Sequence, residues 1–369
     1  YTWDSWDLPT YLALACVILL YTAIRYAEIP DWFLPKSPIW LRKGLYAIGA
    51  VAVLGVLLYV FYLPFSKWYG QAYGSVDPWT SDHTPVASYL THCGLFLFVI
   101  VTWFVWETRE WMAATPISHL RGLKKYSAYF NVLLILFALI VVILLVLGVS
   151  IAWIALPIGL WALILILRPD QSDVKRLVFF MVGTAMVLTL FVELFALHGD
   201  IGRMNTVFKF YYQAWTLLAL SSAAGFVWLV PGISSNWSQR TSAIWQIVLA
   251  FLVFGALLYP LTATQDKVHD RMSADAPNSL DGMAYMKTSY YSDQNATFAL
   301  SQDYDAIKWM QQNVDGSPVV VEGNTVEYRW GTRYTIYTGL PGVVGWNWHQ
   351  RQQRGFLSDA TVWARINEI

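Results

Sequence analysis

The sequence predicts a multipass α-helical membrane protein of about eight spans, followed by a small α+β domain outside the membrane. Three observations carry that expectation. Hydrophobic residues fill 57% of the 369 positions and charged residues only 13%, about half the roughly 25% usual in soluble domains. The charges are split, with 27 in residues 1–260 and 21 in the much shorter stretch 261–369. The first part therefore reads as a bundle and the last as a water-exposed domain. The apolar runs each approach the roughly 20 residues that a helix needs to cross the hydrocarbon layer. Lys and Arg number 24 against 24 Asp and Glu, and zero net charge offers nucleic acid no attraction. Cys16 and Cys93 both sit in apolar runs, which argues against a disulfide framework or a cysteine metal site. The chain starts at Tyr1 without Met and reads as a piece of a longer protein.

The spans are expected at residues 8–24, 45–63, 88–106, 131–147, 151–167, 177–197, 206–230 and 241–260. The fourth and fifth come from one apolar stretch too long for a single crossing, broken at Gly148-Val149-Ser150. Orientation follows from the loops. Those at 25–44, 107–130, 168–176 and 231–240 carry twelve Lys and Arg, and the alternate loops carry only Lys67 and Arg203. Lys and Arg favour the cytoplasmic side, so in a plasma membrane the N-terminal end and residues 261–369 are expected outside. Trp and Tyr near span ends, such as Trp3, Trp6, Trp68, Tyr69, Trp106, Trp111 and Tyr259, read as anchors at the headgroup layer.

Residues 261–295 are polar and poorly periodic, and read as a wrapped linker. Asp303 looks like the N-cap of a helix carrying Ile307, Met310 and Val314 at helical spacing. Residues 319–321 read as a buried strand and 334–337 as a second strand. Asp303-Tyr304-Asp305 has the D-x-D form that sugar-transfer enzymes use to hold a divalent metal, although the acidic start of a helix explains it more simply. Asn295-Ala296-Thr297 is a glycosylation sequon.

Ionisable residues inside spans mark sites by default. Glu193 lies one turn before the outer loop that holds His198, Asp200 and Arg203, and the next span opens with Asn205, Lys209, Gln213 and Thr216 on one helix face. One reading is an anion site at the outer surface, in which Arg203 and Lys209 hold a phosphate with help from the helix N-terminus. The other is structural: Glu193 pairs with Lys209, Gln213 bonds a neighbouring helix and Arg203 reaches the headgroups. Asp82 and His83, in the outer loop between the second and third spans, are candidates for acid/base work, or plain turn residues. No P-loop, H-E-x-x-H or G-x-G-x-x-G is present.

Four stretches resemble a known family. These are residues 203–215 (Arg-Met-Asn-Thr-Val-Phe-Lys-Phe-Tyr-Tyr-Gln-Ala-Trp), Trp3-Asp4-Ser5-Trp6-Asp7-Leu8-Pro9-Thr10-Tyr11, Leu280-Asp281-Gly282-Met283-Ala284-Tyr285-Met286, and Thr338-Gly339-Leu340-Pro341-Gly342 with Gly345-Trp346, His349 and Gln353-Arg354. Together they are similar to the YYY membrane proteins of Chloroflexi and archaea, a family of unassigned function. That resemblance implies a distant likeness to C-type (GT-C) glycosyltransferases, which move a sugar from a polyprenyl-phosphate lipid on the outer membrane face. It also implies that members are longer at both ends, with the main catalytic carboxylate in the missing first half and the outer domain incomplete here. In such an enzyme Arg203 and Lys209 would bind the donor phosphate, Arg351 and Arg354 would close over it, and His349 would support them. Asp82 or a carboxylate from the missing half would take the acceptor proton. A lipid or solute transporter, and a structural subunit of a larger membrane complex, are the competing expectations.

Overall fold

The computed structural model describes residues 6–70, 74–116, 118, 124–293, 296–355 and 357–369, the side chains of Ser66 and Trp68 aside. Asn295 of the sequon and Trp3, Asp4 and Ser5 of the first resembling stretch lie outside them. The chain divides into two compact units, residues 1–61 with 73–256, and residues 62–72 with 257–369.

The first unit is helical. Its helices are α1 (Asp7–Tyr26), most of α2 (Ile39–Trp68), α3 (Val86–Ala114), α4 (Ser127–Val146), α5 (Ala152–Ile166), α6 (Asp173–Leu194), α7 (Met204–Asn236) and the first half of α8 (Gln239–Arg271). Seven of the helices, all but α5, are long and apolar enough to cross a membrane. The eighth apolar segment, expected as a span at residues 151–167, is α5, a shorter apolar helix of 15 residues. At about 1.5 Å per residue α5 is only about 22 Å long. Its ends nevertheless reach both ends of the bundle. Before it, the Ser150 hydroxyl donates to the Thr84 carbonyl (3.1 Å). After it, Arg168 Nη1 donates to the carbonyl of Glu107 (3.3 Å). Gly148, at φ +90°, makes the sharp turn that separates α4 from α5.

The core forms where α3, α5, α6 and α7 pack together. Ala152, Ala155 and Ala162 of α5 are fully buried, and small residues of this kind let helices approach closely without lipid between them. Trp103 of α3 stacks on Phe179 of α6 with ring centroids 4.4 Å apart and planes within 5°. By contrast no residue of α4 is buried, and of α8 only Trp245. A helix apolar all round, as α4 is, suits lipid on every side.

One short sheet matters for the site. Strand β1 (Val76–Pro78) pairs antiparallel with β2 (Phe195–Leu197), with Asp77 opposite Ala196. The sixth span was expected to run to residue 197. It ends at Leu194 instead, because Phe195 turns extended (φ −138°, ψ 150°) to join the ladder.

The second unit holds the hairpin β3 (Tyr290–Asp293) and β4 (Ala296–Ala299), and four helices: α9 (Ser301–Asn313), α10 (Arg333–Thr338), α11 (Asn347–Gln353) and α12 (Asp359–Glu368). Several expectations fail here. Residues 261–271 continue α8 rather than starting a linker. Residues 319–321 form no buried strand: Val319 and Val321 are both 63% exposed, and only Val320 makes a bridge, to Gly342. Residues 334–337 lie in a helix, since Gly339 in the left-handed region (φ +76°) supplies its C-terminal stop. The N-cap of α9 is Leu300, not Asp303. Asp303 sits inside the first turn and is buried, whereas Asp305 is exposed. Two positions apart on a helix, the carboxylates face different ways, which does not suit joint metal binding.

Candidate functional site

The polar centre of the first unit forms around Glu193, the second-last residue of α6, which is fully buried. A carboxylate cannot stay ionised in an apolar core without partners, and the β1–β2 ladder brings them. The strand pair draws the loop after β1 across the end of α6, and α3 then starts at Val86. The Thr84 amide donates to Glu193 Oε2 (2.9 Å) and the Thr84 hydroxyl donates to Oε1. Arg203, immediately before α7, donates from Nη1 to Glu193 Oε1 (2.9 Å) and to the Val192 carbonyl (2.7 Å), and from Nη2 to the Thr84 hydroxyl (3.2 Å). The Trp79 ring covers the guanidinium at 5.5 Å. A guanidinium has five N–H donors, so these three bonds leave two by count.

His83 completes the group. Its Nδ1 lies 3.3 Å from Glu193 Oε2, and this buried nitrogen has no properly directed hydrogen bond among the described residues. The ring lies against Gly148, where an added Cβ would come within 3.1 Å of His83 Cδ2. Among the described residues no three His, Cys, Asp or Glu side chains gather as a metal site.

Other residues singled out from the sequence take different places. Asp200 caps α7: Oδ1 accepts from the amide (3.2 Å) and side chain (2.9 Å) of Asn205, and Oδ2 from the amide and hydroxyl of Thr206, both at 2.8 Å. The helix N-terminus expected to greet a phosphate is thus partly filled by its own carboxylate. Glu193 pairs with Arg203 and not with Lys209, because Arg203 stands in the turn directly over it. Lys209 is half-buried on α7 and has a partner of its own. Gln213 reaches α1, donating to the Asp7 carboxylate (2.8 Å) and the Trp6 carbonyl (3.1 Å). His198 is exposed and pairs with Asp77 (2.8 Å). Asp82 is exposed, and its carbonyl accepts from Trp79 Nε1 (3.0 Å).

Residues 1–218, well over half of the chain, match a family described as an uncharacterized membrane protein (DUF2298). The chain belongs to the DUF2298 family. No match was found among curated proteins or among solved structures. The matched segment of this DUF2298 protein carries every member of the Glu193 centre.

His349, Arg351 and Arg354 belong to the second unit and are held by local partners there. His349 Nε2 shares a hydrogen bond with the Tyr328 hydroxyl (2.9 Å). Arg351 donates from Nε to Asn347 (3.0 Å), pairs with Asp359 (3.1 Å) and lies over both Trp348 and Trp363. Arg354 is exposed and donates to Gln350 (3.3 Å).

A second buried carboxylate was missed from sequence. Glu107 on α3 is 2% exposed. It accepts from Trp103 Nε1 (3.1 Å) and Arg168 (3.2 Å), and pairs closely with Lys175. A third span ending at residue 106 leaves Glu107 in a loop, where Arg168 and Lys175 read only as basic loop residues. The signal was present: an acidic residue directly at the span end, in a protein whose loops on that side are basic.

Proposed function

We propose that this membrane protein is a GT-C-like glycosyltransferase, moving a sugar from a polyprenyl-phosphate donor to an acceptor hydroxyl on the outer membrane face. The observation that carries the reading is the His83–Glu193–Arg203 centre at one end of the bundle. Burying a carboxylate in a membrane bundle, with two further ionisable side chains largely covered around it, is costly, and such groups are kept where they act. His83 lies with its Nδ1 3.3 Å from the Glu193 carboxylate, a position from which an imidazole can serve as general base. In the reaction the acceptor oxygen bonds to the sugar's anomeric carbon as the bond from that carbon to the phosphate oxygen breaks. The acceptor proton passes to His83, and the polyprenyl phosphate leaves with the bonding pair. The two remaining N–H groups of Arg203 suit the charge that grows on the leaving phosphate. Lys209 is placed near that phosphate by the sequence pattern alone. Asp82 remains an alternative base, and a divalent metal remains compatible with a phosphate substrate. The loop pattern favours the outer face of the plasma membrane for this end, with the N-terminal end and the C-terminal domain on that side.

The test is release of free polyprenyl phosphate from polyprenyl-phosphate sugars by the protein in proteoliposomes. His83→Asn is expected to lower turnover about 10²–10⁴-fold, the usual worth of a general base, while the protein stays folded. Full turnover in that variant removes His83 from the chemistry, and no release from any sugar donor removes the transferase reading.

The scant burial of α8, of which only Trp245 is buried, favours one second reading, a subunit of a larger membrane assembly whose partners cover that helix. Cross-linking in native membranes that yields only the single chain would count against it.

A further inference from the structure

We infer that the second unit carries a binding site for a neutral carbohydrate, in the cavity between the β3–β4 hairpin and the loop that precedes α10. The cavity holds about 390 Å³, within the range of about 300–1,000 Å³ for small-molecule sites. Its walls are of two kinds. Tyr291, Phe298 and Trp330 supply aromatic surface, with the Tyr291 ring 5.5 Å from Phe298 and 5.6 Å from Trp330. Asp293, Asn324, Thr325 and Arg329 supply polar groups. A sugar ring has apolar C–H faces that rest on aromatic rings, and a rim of hydroxyls that both donate and accept. Carboxylate, amide and guanidinium groups match that rim.

The charge balance selects among ligands. Arg329 pairs with Asp293 (3.1 Å), and Arg333 pairs with Asp303 (2.7 Å). Both cations that face the cavity are therefore paired, Arg329 with a carboxylate of the cavity wall and Arg333 with one behind it. A phosphate would meet the Asp293 carboxylate and two guanidinium groups that are already paired, whereas an uncharged polyhydroxy ligand meets hydrogen-bonding capacity without a charge to desolvate. Arg329 is half exposed and uses one of its five N–H donors on Asp293.

The loop that forms one wall is held in a demanding shape. Tyr328 (φ 64°) and Thr332 (φ 57°) both adopt left-handed backbone, which costs a non-glycine residue free energy and is kept where surroundings enforce it. Between them, Gly331 packs so closely that a Cβ would lie 2.2 Å from Thr325 Oγ1. Trp330 is anchored by its Nε1 donating to Asp303 (2.8 Å). The aromatic platform is thus fixed before any ligand arrives, which lowers the ordering cost of binding.

The inference goes beyond the transfer reaction and stands without it, because binding is read with no turnover. The experiment uses the full chain in nanodiscs and saturation-transfer NMR with methyl α-mannoside, maltose, cellobiose and chitobiose, with inorganic phosphate as a separate arm. At least one saccharide should give saturable transfer with a millimolar Kd, weakened about tenfold or more by Asn324→Ala and by Arg329→Gln. Among the described residues Asn324 makes no hydrogen bond that holds the loop, and Trp fluorescence checks that Arg329→Gln, which gives up the pair with Asp293, stays folded. Absence of saturable transfer from every saccharide, binding indifferent to both variants, or binding of phosphate alone would each overturn the proposal.

Discussion

At the scale of single residues, the strongest physical demand on the protein is the neutralisation of buried charge. Glu193 is held by Arg203, and removing one partner of a buried pair costs about 3–5 kcal/mol because the other charge is stranded. Arg203→Met and Glu193→Gln should therefore each lower unfolding stability by about that much. The double variant should lose less than the sum of the two, as coupled neighbours do. Unfolding in bilayers or mixed micelles measures this, and simple additivity would show the pair to be energetically uncoupled. Asp303 makes a demand of the same kind in the second unit. Its burial opposes ionisation, but the hydrogen bonds from Trp330, Arg333 and Tyr334 outweigh it and hold the carboxyl below its ordinary range. A depressed folded value means that the stabilisation is complete above the unfolded value near 3.9, and is lost as pH falls through the folded value. Melting of the second unit should weaken as pH falls below about 4, and Asp303→Asn should flatten that dependence. An unchanged pH profile in the variant would assign the acid sensitivity elsewhere. The sequence marked both carboxylates as notable but could not name their partners. Those partners lie at sequence distances of 109 residues for Thr84 and Glu193, and 31 for Asp303 and Tyr334, and only the fold closes such gaps.

At the scale of elements, close packing decides which glycines matter. Gly232 on α7 faces Trp106 so closely that a Cβ would lie 2.5 Å from the ring, and Gly225, about two turns earlier on the same face, meets Trp103 at 3.0 Å. Gly183 on α6 has nothing within 4 Å. Gly232→Ala should destabilise by about 1–3 kcal/mol through overpacking. Gly183→Ala should be neutral or stabilising by about 0.5–1 kcal/mol, since alanine suits a helix better. Equal effects on thermal unfolding would mean that α3 and α7 are not packed as described. The apolar runs themselves were legible from sequence, because a membrane helix must satisfy its backbone internally and be apolar over its whole length. Their ends were less so. Residues 195–197 are as apolar as the helix before them and leave it only because β1 offers a ladder. Residues 334–337 are rich in Tyr, Thr and Ile, which favour strands, yet Gly339 and the contact with Asp303 close them into a turn of helix.

At the scale of the whole molecule, the decisive question is what α5 does, because it sets which side of the membrane every later residue occupies. Its length falls short of the roughly 30 Å hydrocarbon layer, which by itself would suit a re-entrant segment. Its termini argue otherwise. Ser150 is tied to Thr84 before α3, and Arg168 to Glu107 near the other end of α3, so α5 covers the same span as a full-length neighbour. One face of the helix, with Ala152, Ala155, Ile158, Ala162 and Leu165, is buried against protein, so packing as well as bilayer thickness sets its length. The uneven sharing of Lys and Arg among the loops agrees with a full crossing at α5, because only then do residues 168–176 join the basic side. Cysteines introduced singly at Ser81 and at Asp170, in a background lacking Cys16 and Cys93, should accordingly react with a membrane-impermeant thiol reagent from opposite faces: Ser81→Cys in intact cells, Asp170→Cys only after the membrane is opened. Labelling of both from the same face would make α5 a re-entrant helix, and would reverse the sidedness of α6, α7 and the Glu193 centre between them relative to the loop pattern.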